Sequence, residues 1–158
     1  MRIHFVCTGN IYRSRLAEAY CASKNLPGVH VSSSGIAAGH YDMVPISPYA
    51  ADLLTRLNLD TWAAKHWQRT TAALVQASDV LVFMESEHQC FCEGWIDPTR
   101  QRIEVWGIED IGPMPAEQIP DKVERTFARI RERTDTLLRS LGQGSKGAAF
   151  SNRPPGSA

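Results

Sequence analysis

The chain has 158 residues, with 17 Lys+Arg against 17 Asp+Glu, so its formal net charge is zero when the histidines are neutral. That length suits one domain with a core of its own. The charge balance argues against bulk binding to nucleic acid or an anionic membrane, which needs a basic surplus or stripe. No apolar run approaches the roughly 18 residues of a membrane span. The opening "MRIHFVC" is apolar only briefly and lacks a cleavage site. The expectation is a cytoplasmic protein that binds neither nucleic acid nor membrane, a monomer or weak homodimer. Cys7, Cys21, Cys90 and Cys92 are too few and too irregular for a secreted disulfide framework, so reduced thiols are expected.

In chain order, "RIHFV" (2–6) is a β-rich run that ends at a glycine-bearing loop. Good helix formers follow over 14–25, with Ser14 available as a cap. "GVHVSSSG" (28–35) reads as a second strand. "SPYAADLLTRLNL" (47–59) opens with Ser as cap and Pro at the first helical position. In it Ala50, Leu53, Leu54 and Leu57 form an apolar stripe at helical spacing. A short helix over 71–77 leads into "SDVLVFM" (78–84), a continuous apolar run suited to a strand buried on both faces. Residues 85–94 read as helix and "QRIEVWG" (101–107) as a fourth strand. A last long helix spans about 118–141, with Val123, Phe127, Ile130, Thr134, Leu137 and Leu141 at three- and four-residue steps. The Gly/Ser/Pro-rich stretch 142–158 reads as a flexible tail to a single domain of residues 1–141.

Strands alternating with helices predict an α/β fold: a small, doubly wound, four-stranded parallel sheet with helices on both faces. Ligands of such folds sit beyond the carboxyl ends of the strands. "CTGNIYRS" (7–14) stands there, after the first strand.

A loop of inward-pointing amides at a helix N-terminus holds a phosphate and favours a thiolate at Cys7. Full ionisation of an ordinary thiol gains at most about thirtyfold, roughly 2 kcal/mol, so most of the catalysis must come from stabilising the transferring phosphoryl group. Arg13, whose planar fork bonds two oxygens at once, suits that task. Gly9 permits close backbone approach, and Asn10 tolerates a left-handed conformation and can pin the loop from within. Ser14 can donate to the sulfur, and Ile11 and Tyr12 shape the wall. Thr8 completes the set of phosphate-loop residues. The alternative for Cys7 is a buried structural cysteine at a strand end. The strand before, the helix after, and Gly, Asn and Ser at these positions favour the phosphate loop.

"VCTGNIYRSRLAEAY" closely resembles the low-molecular-weight protein tyrosine phosphatases, whose loop reads V-C-x-G-N-I-C-R-S-P-x-A-E. The resemblance continues through "SSSGIAAG", "SPYAADLLTRLNL" and "KHWQRTTAALVQASDVLVFMESEH", covering roughly residues 2–141. It implies a protein-tyrosine phosphatase that acts on phosphotyrosine-containing proteins without cofactor or metal. Cys7 would attack the phosphorus, an aspartic acid would protonate the leaving phenolate, and water would hydrolyse the phosphocysteine.

The family carries its acid in an Asp-Pro pair after the fourth strand. Here Asp97-Pro98 precedes that strand and "GIEDIGP" follows it, which favours Asp110 over Asp97, a turn candidate, and over Glu109. Ser34 falls at the family's serine that holds the loop asparagine, and His66 at the histidine of the same buried network. For Ser34 the alternative is a strand-end serine serving its own backbone. His40 and Tyr41 align with an aromatic of the entrance wall, or lie in an exposed loop. Tyr12 replaces the family's second loop cysteine, and Arg15 replaces a proline and would add positive charge at the entrance if it pointed there. Two alternatives remain on the same fold. One is a thioredoxin-coupled arsenate reductase using Cys90 and Cys92, against which their spacing argues. The other is an anion-binding module that has lost catalysis. A branch of the family acts on phosphoarginine and carries a smaller polar residue where Ile11 stands, which leans this chain towards aromatic phosphoesters.

Overall fold

The computed structural model describes residues 1–40 and 44–148, with side chains described to residue 144. Four parallel strands, β1 (Arg2–Cys7), β2 (His30–Gly35), β3 (Val80–Phe83) and β4 (Arg102–Val105), form one sheet in the order β2-β1-β3-β4. The helices are α1 (Arg13–Ser23), α2 (Pro48–Arg56), α3 (Ala72–Gln76), α4 (Ser86–Cys92) and α5 (Ile119–Ala148). The doubly wound parallel sheet expected from the alternating pattern is what the chain forms.

Two apolar clusters cover the faces of the sheet. Ile3, Phe5, Val80 and Val82 meet Leu16 of α1, Leu53 of α2 and Phe127, Ile130 and Leu137 of α5 on one side. On the other, Val6, Leu81 and Phe83 meet Val75 of α3 and Cys92 of α4. β3 is buried along its whole length, as a central parallel strand flanked on both faces must be. The chain leaves β1 for β2 on one side, whereas β3 lies on the other. The order therefore reverses beside β1, and the crevice beyond the carboxyl end of β1 is the ligand position of this topology.

Three details differ from the sequence reading. Ser14 does not cap α1: Tyr12 holds the N-cap position, and the Ser14 hydroxyl is engaged elsewhere. Leu57 falls at the C-cap of α2 and is exposed, because the helix ends before its apolar stripe does. Helix α5 continues to Ala148, past the expected start of a flexible tail at residue 142. Gly142, Gly144 and Gly147 each cost the helix about 1 kcal/mol relative to alanine, and after Pro120 in its first turn proline, the stronger breaker, does not recur until Pro154. Among the described residues no helix is long and apolar enough to cross a membrane.

One polar group lies deep in the sheet. His4, on β1, is fully buried and its ring nitrogens meet the hydroxyls of Ser32 and Ser34, each at 2.7 Å, on β2. Burial pushes its imidazole down to about 4. The unfolded chain keeps the ordinary value near 6.5, so between those two pH values the unfolded state binds a proton that the native state refuses. Folding stability should therefore fall as pH drops from about 6.5 to about 4 and level off below, His4 accounting for ~3 kcal/mol of the loss. Urea melts at pH 7 and pH 4.5 check this: His4→Gln should lose less stability between the two than the parent does.

Candidate active site

The chain leaves β1 at Cys7 and enters α1 at Arg13, and the loop between them is turned so that its carbonyls face outward. The Cys7 carbonyl accepts from Ile36 N–H at 3.0 Å and that of Thr8 from Ala37 N–H at 2.9 Å. The Ile11 carbonyl accepts from Ser47 N–H at 2.8 Å and that of Tyr12 from Leu16 N–H at 3.0 Å. With these carbonyls taken, the N–H groups of Gly9, Ile11 and Tyr12 have no protein acceptor among the described residues. Such a ring of amides at a helix start is an anion-binding nest. It closes because Gly35 has no side chain: a Cβ there would stand 2.6 Å from the Thr8 carbonyl oxygen and 2.7 Å from Asn10 N.

Asn10 is the pivot, with φ of 54°, the left-handed conformation expected of it. Its backbone N–H points at Cys7 Sγ at 3.3 Å. Its side-chain amide donates to Ser14 Oγ and Ser33 Oγ, both at 2.8 Å, and its Oδ1 accepts from Gln68 N–H at 2.9 Å. Because Ser14 Oγ accepts from Asn10, its own proton is left to point at Cys7 Sγ, 2.9 Å away. The sulfur thus faces two donors suited to a thiolate.

Arg13 is almost wholly buried and arrives with its fork already engaged. Nη1 donates to Glu85 Oε2 at 2.6 Å and to the Ile108 carbonyl at 2.8 Å. Nη2 donates to Thr8 Oγ1 and to Asp110 Oδ2, each at 3.2 Å. His88 backs this arrangement. Its Nδ1 accepts from Glu85 N–H at 3.0 Å, which leaves the proton on Nε2 to donate to Thr8 Oγ1 at 2.9 Å. Burial, with the Arg13 charge nearby, pushes His88 down to about 4, so the neutral tautomer this needs is the one present near neutral pH. Glu85, Glu87 and His88 bring ligand-type atoms within 4.8 Å of one another, yet both His88 nitrogens and the Glu85 carboxylate already have protein partners.

A cleft of about 410 Å³ opens above the loop, lined by Cys7, Thr8, Gly9, Ile11, Tyr12 and Arg13, then by Ser47 and Tyr49 on one side and Asp110 and Ile111 on the other. Asp110 thus stands with Cys7 and Arg13, its side chain 54% exposed towards the cleft mouth. Asp97 is a turn residue before β4, where its Oδ1 accepts from the hydroxyl and N–H of Thr99. Glu109 turns away to pair with Lys122 at 3.2 Å.

Several supporting residues fall elsewhere than expected. Ser33, not Ser34, holds Asn10. Successive strand residues face opposite sides of the sheet, so a displacement of one residue puts Ser34 on His4 and Thr70 instead. His66 is exposed and has no hydrogen-bond partner among the described residues; Gln68 takes its place in the network. His40 is exposed and does not line the cleft, Tyr41 lies outside the described residues, and Tyr49 and Ile111 form the wall. Arg15 is buried behind the loop and adds no charge to the entrance. Sequence reasoning also missed Glu85 and His88, although the resemblance covered their segment, because nothing local marks them as partners of Arg13.

Ser33→Ala removes an acceptor from the buried Asn10 amide, while His66→Ala removes nothing the loop touches. An unmade buried hydrogen bond costs 1–3 kcal/mol. We expect Ser33→Ala to lower kcat/KM for an aryl phosphate by about tenfold and His66→Ala to leave it within about twofold. Steady-state kinetics on the two variants checks this.

Three comparisons bear on the whole chain. Residues 2–146 match the family model for low molecular weight phosphotyrosine protein phosphatase. The chain is 26% identical over 136 residues to the probable low molecular weight protein-tyrosine-phosphatase EpsP of Ralstonia nicotianae, covering 86% of this chain and 88% of that protein. Among solved structures, Wzb of Vibrio vulnificus in complex with benzylphosphonate superposes with a TM-score of 0.69 at 26% identity, covering 88% and 97% of the two chains. A Drosophila arginine phosphatase superposes with a TM-score of 0.72 at 20% identity, covering 89% and 98%, which speaks for the fold alone. The nest of free amides around a cysteine and an arginine fits the family-model match, and the extent of that match over residues 2–146 shows the family: the chain belongs to the low-molecular-weight phosphotyrosine protein phosphatases.

Proposed function

We propose that the protein hydrolyses phosphotyrosine on protein substrates, with Cys7 as nucleophile, Arg13 as phosphate clamp and Asp110 as general acid and base. The observation that carries this is the convergence of Cys7 Sγ, the unpartnered loop amides, the Arg13 guanidinium and the Asp110 carboxylate on one cleft.

The phosphate oxygens enter the nest and take over the Arg13 Nη2 donor that Asp110 Oδ2 holds at 3.2 Å. Asp110 is thereby released towards the substrate's bridging oxygen. Cys7 Sγ forms a bond to phosphorus as the bond to the phenolic oxygen breaks, and protonated Asp110 delivers its proton to that oxygen. A phenol of pKa about 10 leaves poorly without one. In the second half Asp110, now a carboxylate, takes a proton from water as the water oxygen attacks phosphorus, and the thiolate leaves. Ser14 and Asn10 N–H stabilise the sulfur as attacker and again as leaving group. Arg13 and the amides supply the positive field through both steps.

The cleft walls favour an aryl group. Ile11, Tyr12, Tyr49 and Ile111 are apolar or aromatic, and among the described lining residues Arg13 and Asp110 are the two ordinarily charged ones. A ring seated there can make offset or edge contacts with the Tyr49 face. This supports phosphotyrosine over phosphoarginine, whose guanidinium would sit between apolar and aromatic walls with Asp110 as the one carboxylate among the described lining residues. Arsenate reduction needs two resolving thiols in relay. Cys90 is exposed on α4, whereas Cys92 is fully buried and its thiol is pushed up to about 11, a poor pair for exchange.

Hydrolysis of p-nitrophenyl phosphate and of a phosphotyrosine peptide without added metal tests the reading, with a phosphoarginine peptide as competitor. Cys7→Ser should abolish turnover. Asp110→Asn should cost the phosphotyrosine peptide about 10²- to 10³-fold in kcat, and p-nitrophenyl phosphate less, because its leaving group needs a proton less. Phosphate binding without hydrolysis of either aryl ester would sink the proposal in favour of a binding module.

A further inference from the structure

Four of the loop's carbonyls, those of Cys7, Thr8, Ile11 and Tyr12, are held by backbone N–H groups. The carbonyl of Asn10 is held by a charge: Arg15 Nη1 donates to it at 3.2 Å. Arginine is almost never fully buried unless paired, yet Arg15 is 1% exposed. Its Nη1 also donates to the Pro45 carbonyl at 3.0 Å and its Nη2 to the Ala64 carbonyl, so one guanidinium ties the loop to two later segments of chain.

The charge is balanced inside the fold. Arg15 Nε faces Glu18 Oε2 at 3.6 Å, an ion-pair distance too long for a hydrogen bond, and Nε has no hydrogen-bond partner among the described residues. Glu18, itself 7% exposed, accepts from the Ser33 hydroxyl at 2.6 Å. Ser33 in turn accepts from the Asn10 side-chain amide at 2.8 Å. The path closes on itself: Asn10 side chain to Ser33, Ser33 to Glu18, Glu18 to Arg15, Arg15 to the Asn10 carbonyl. The pivot residue of the nest is gripped by its backbone and its side chain at once.

A trans peptide sets its carbonyl and its N–H on opposite sides. A donor that fixes the Asn10 carbonyl below the loop therefore turns the Ile11 N–H to the other side, where Ile11 lines the cleft. We propose that Arg15 is a positioning residue for the oxyanion site: from behind the loop it orients and polarises the Asn10–Ile11 peptide so that the Ile11 N–H is held ready for a phosphate oxygen, with Glu18 holding Arg15 in place. This rests on the phosphatase reading, and it assigns to the arginine that replaces the family's proline a part in binding the anion without touching it.

Arg15→Met alone would leave Glu18 buried without a counter-ion, so the main variant is the double change Arg15→Met/Glu18→Gln, with Arg15→Lys beside it. The readouts are the inhibition constants of inorganic phosphate and vanadate, kcat and KM for p-nitrophenyl phosphate, and the thermal midpoint. In the double variant both inhibition constants and KM should rise about tenfold while kcat stays within about threefold, the pattern of lost uniform binding. Arg15→Lys keeps the charge with fewer donors and should fall between parent and double variant. Parental inhibition constants with a lowered thermal midpoint would make Arg15 a purely structural residue and overturn the inference. If the double variant does not fold, Arg15→Lys decides: a raised phosphate constant supports the role, and a parental one ends it. A parent that neither binds phosphate or vanadate nor hydrolyses the ester would instead remove the phosphatase reading.

Discussion

Everything at this site depends on one backbone constraint: the loop between β1 and α1 must present N–H groups inward while its outward carbonyls are met by donors outside. A buried carbonyl left unpaired costs about as much as a lost hydrogen bond, so an inside-out loop is stable only where the surroundings supply donors. Beyond Arg15, which serves Asn10, backbone donors come from three directions. Ile36 and Ala37, just past β2, serve the first carbonyls, Ser47 at the start of α2 serves Ile11, and the first turn of α1 serves Tyr12. The sheet order puts β2 beside β1, and Gly35 lets the two segments meet at backbone contact. The fold is in this sense the outer half of the anion site.

Arg13 is under a related constraint. A fully buried guanidinium must have its donors occupied whether or not a ligand is present. Glu85 and the Ile108 carbonyl hold Nη1, while Nη2 faces Thr8 Oγ1 and Asp110 at longer distances. The short contacts fix the side chain and the longer pair leaves an exchangeable face. Asp110 is then a stand-in for the incoming oxyanion, and the ligand that displaces it also frees the group proposed to protonate its leaving oxygen. In the proposed mechanism, binding and the arming of the acid are one event.

The parts of the site legible in the sequence were those whose chemistry is local. Cys7, Asn10, Arg13 and Ser14 lie within eight consecutive residues, and the strand before and helix after them fix which way they face. Asp110 was legible because a position after β4 reaches the same sheet edge, whereas Asp97 precedes that strand. What escaped depended on facing or on distant segments. Ser34 and Ser33 differ by one place in a run of three serines, and only the pairing of Phe5 with Ser33 and Val6 with Ser34 settles which face each takes. Glu85 and His88 meet Arg13 and Thr8 across more than 70 residues of chain. Which way Arg15 points was open in the sequence, because a charged residue is ordinarily solvated; the Asn10, Pro45 and Ala64 carbonyls and Glu18 hold it inside instead.

The two arginines divide the work by the side of the loop on which they lie. Arg13, at the front, has Glu85 as a fixed partner and Asp110 as a movable one; Arg15, at the back, has only a fixed partner, Glu18. A buried cation without a counter-charge is too costly to keep, and one wholly cancelled lends little field to a ligand. At the front, in the proposed mechanism, the phosphate that displaces Asp110 leaves Arg13 with one carboxylate partner in place of two. At the back no exchange is possible, and the charge acts through the peptide it holds. Burial sharpens this, because an interaction carried through low-dielectric protein is screened far less than one at the surface. In the proposed mechanism an incoming phosphate thus raises the field it meets, because it removes one of the two carboxylates that offset Arg13.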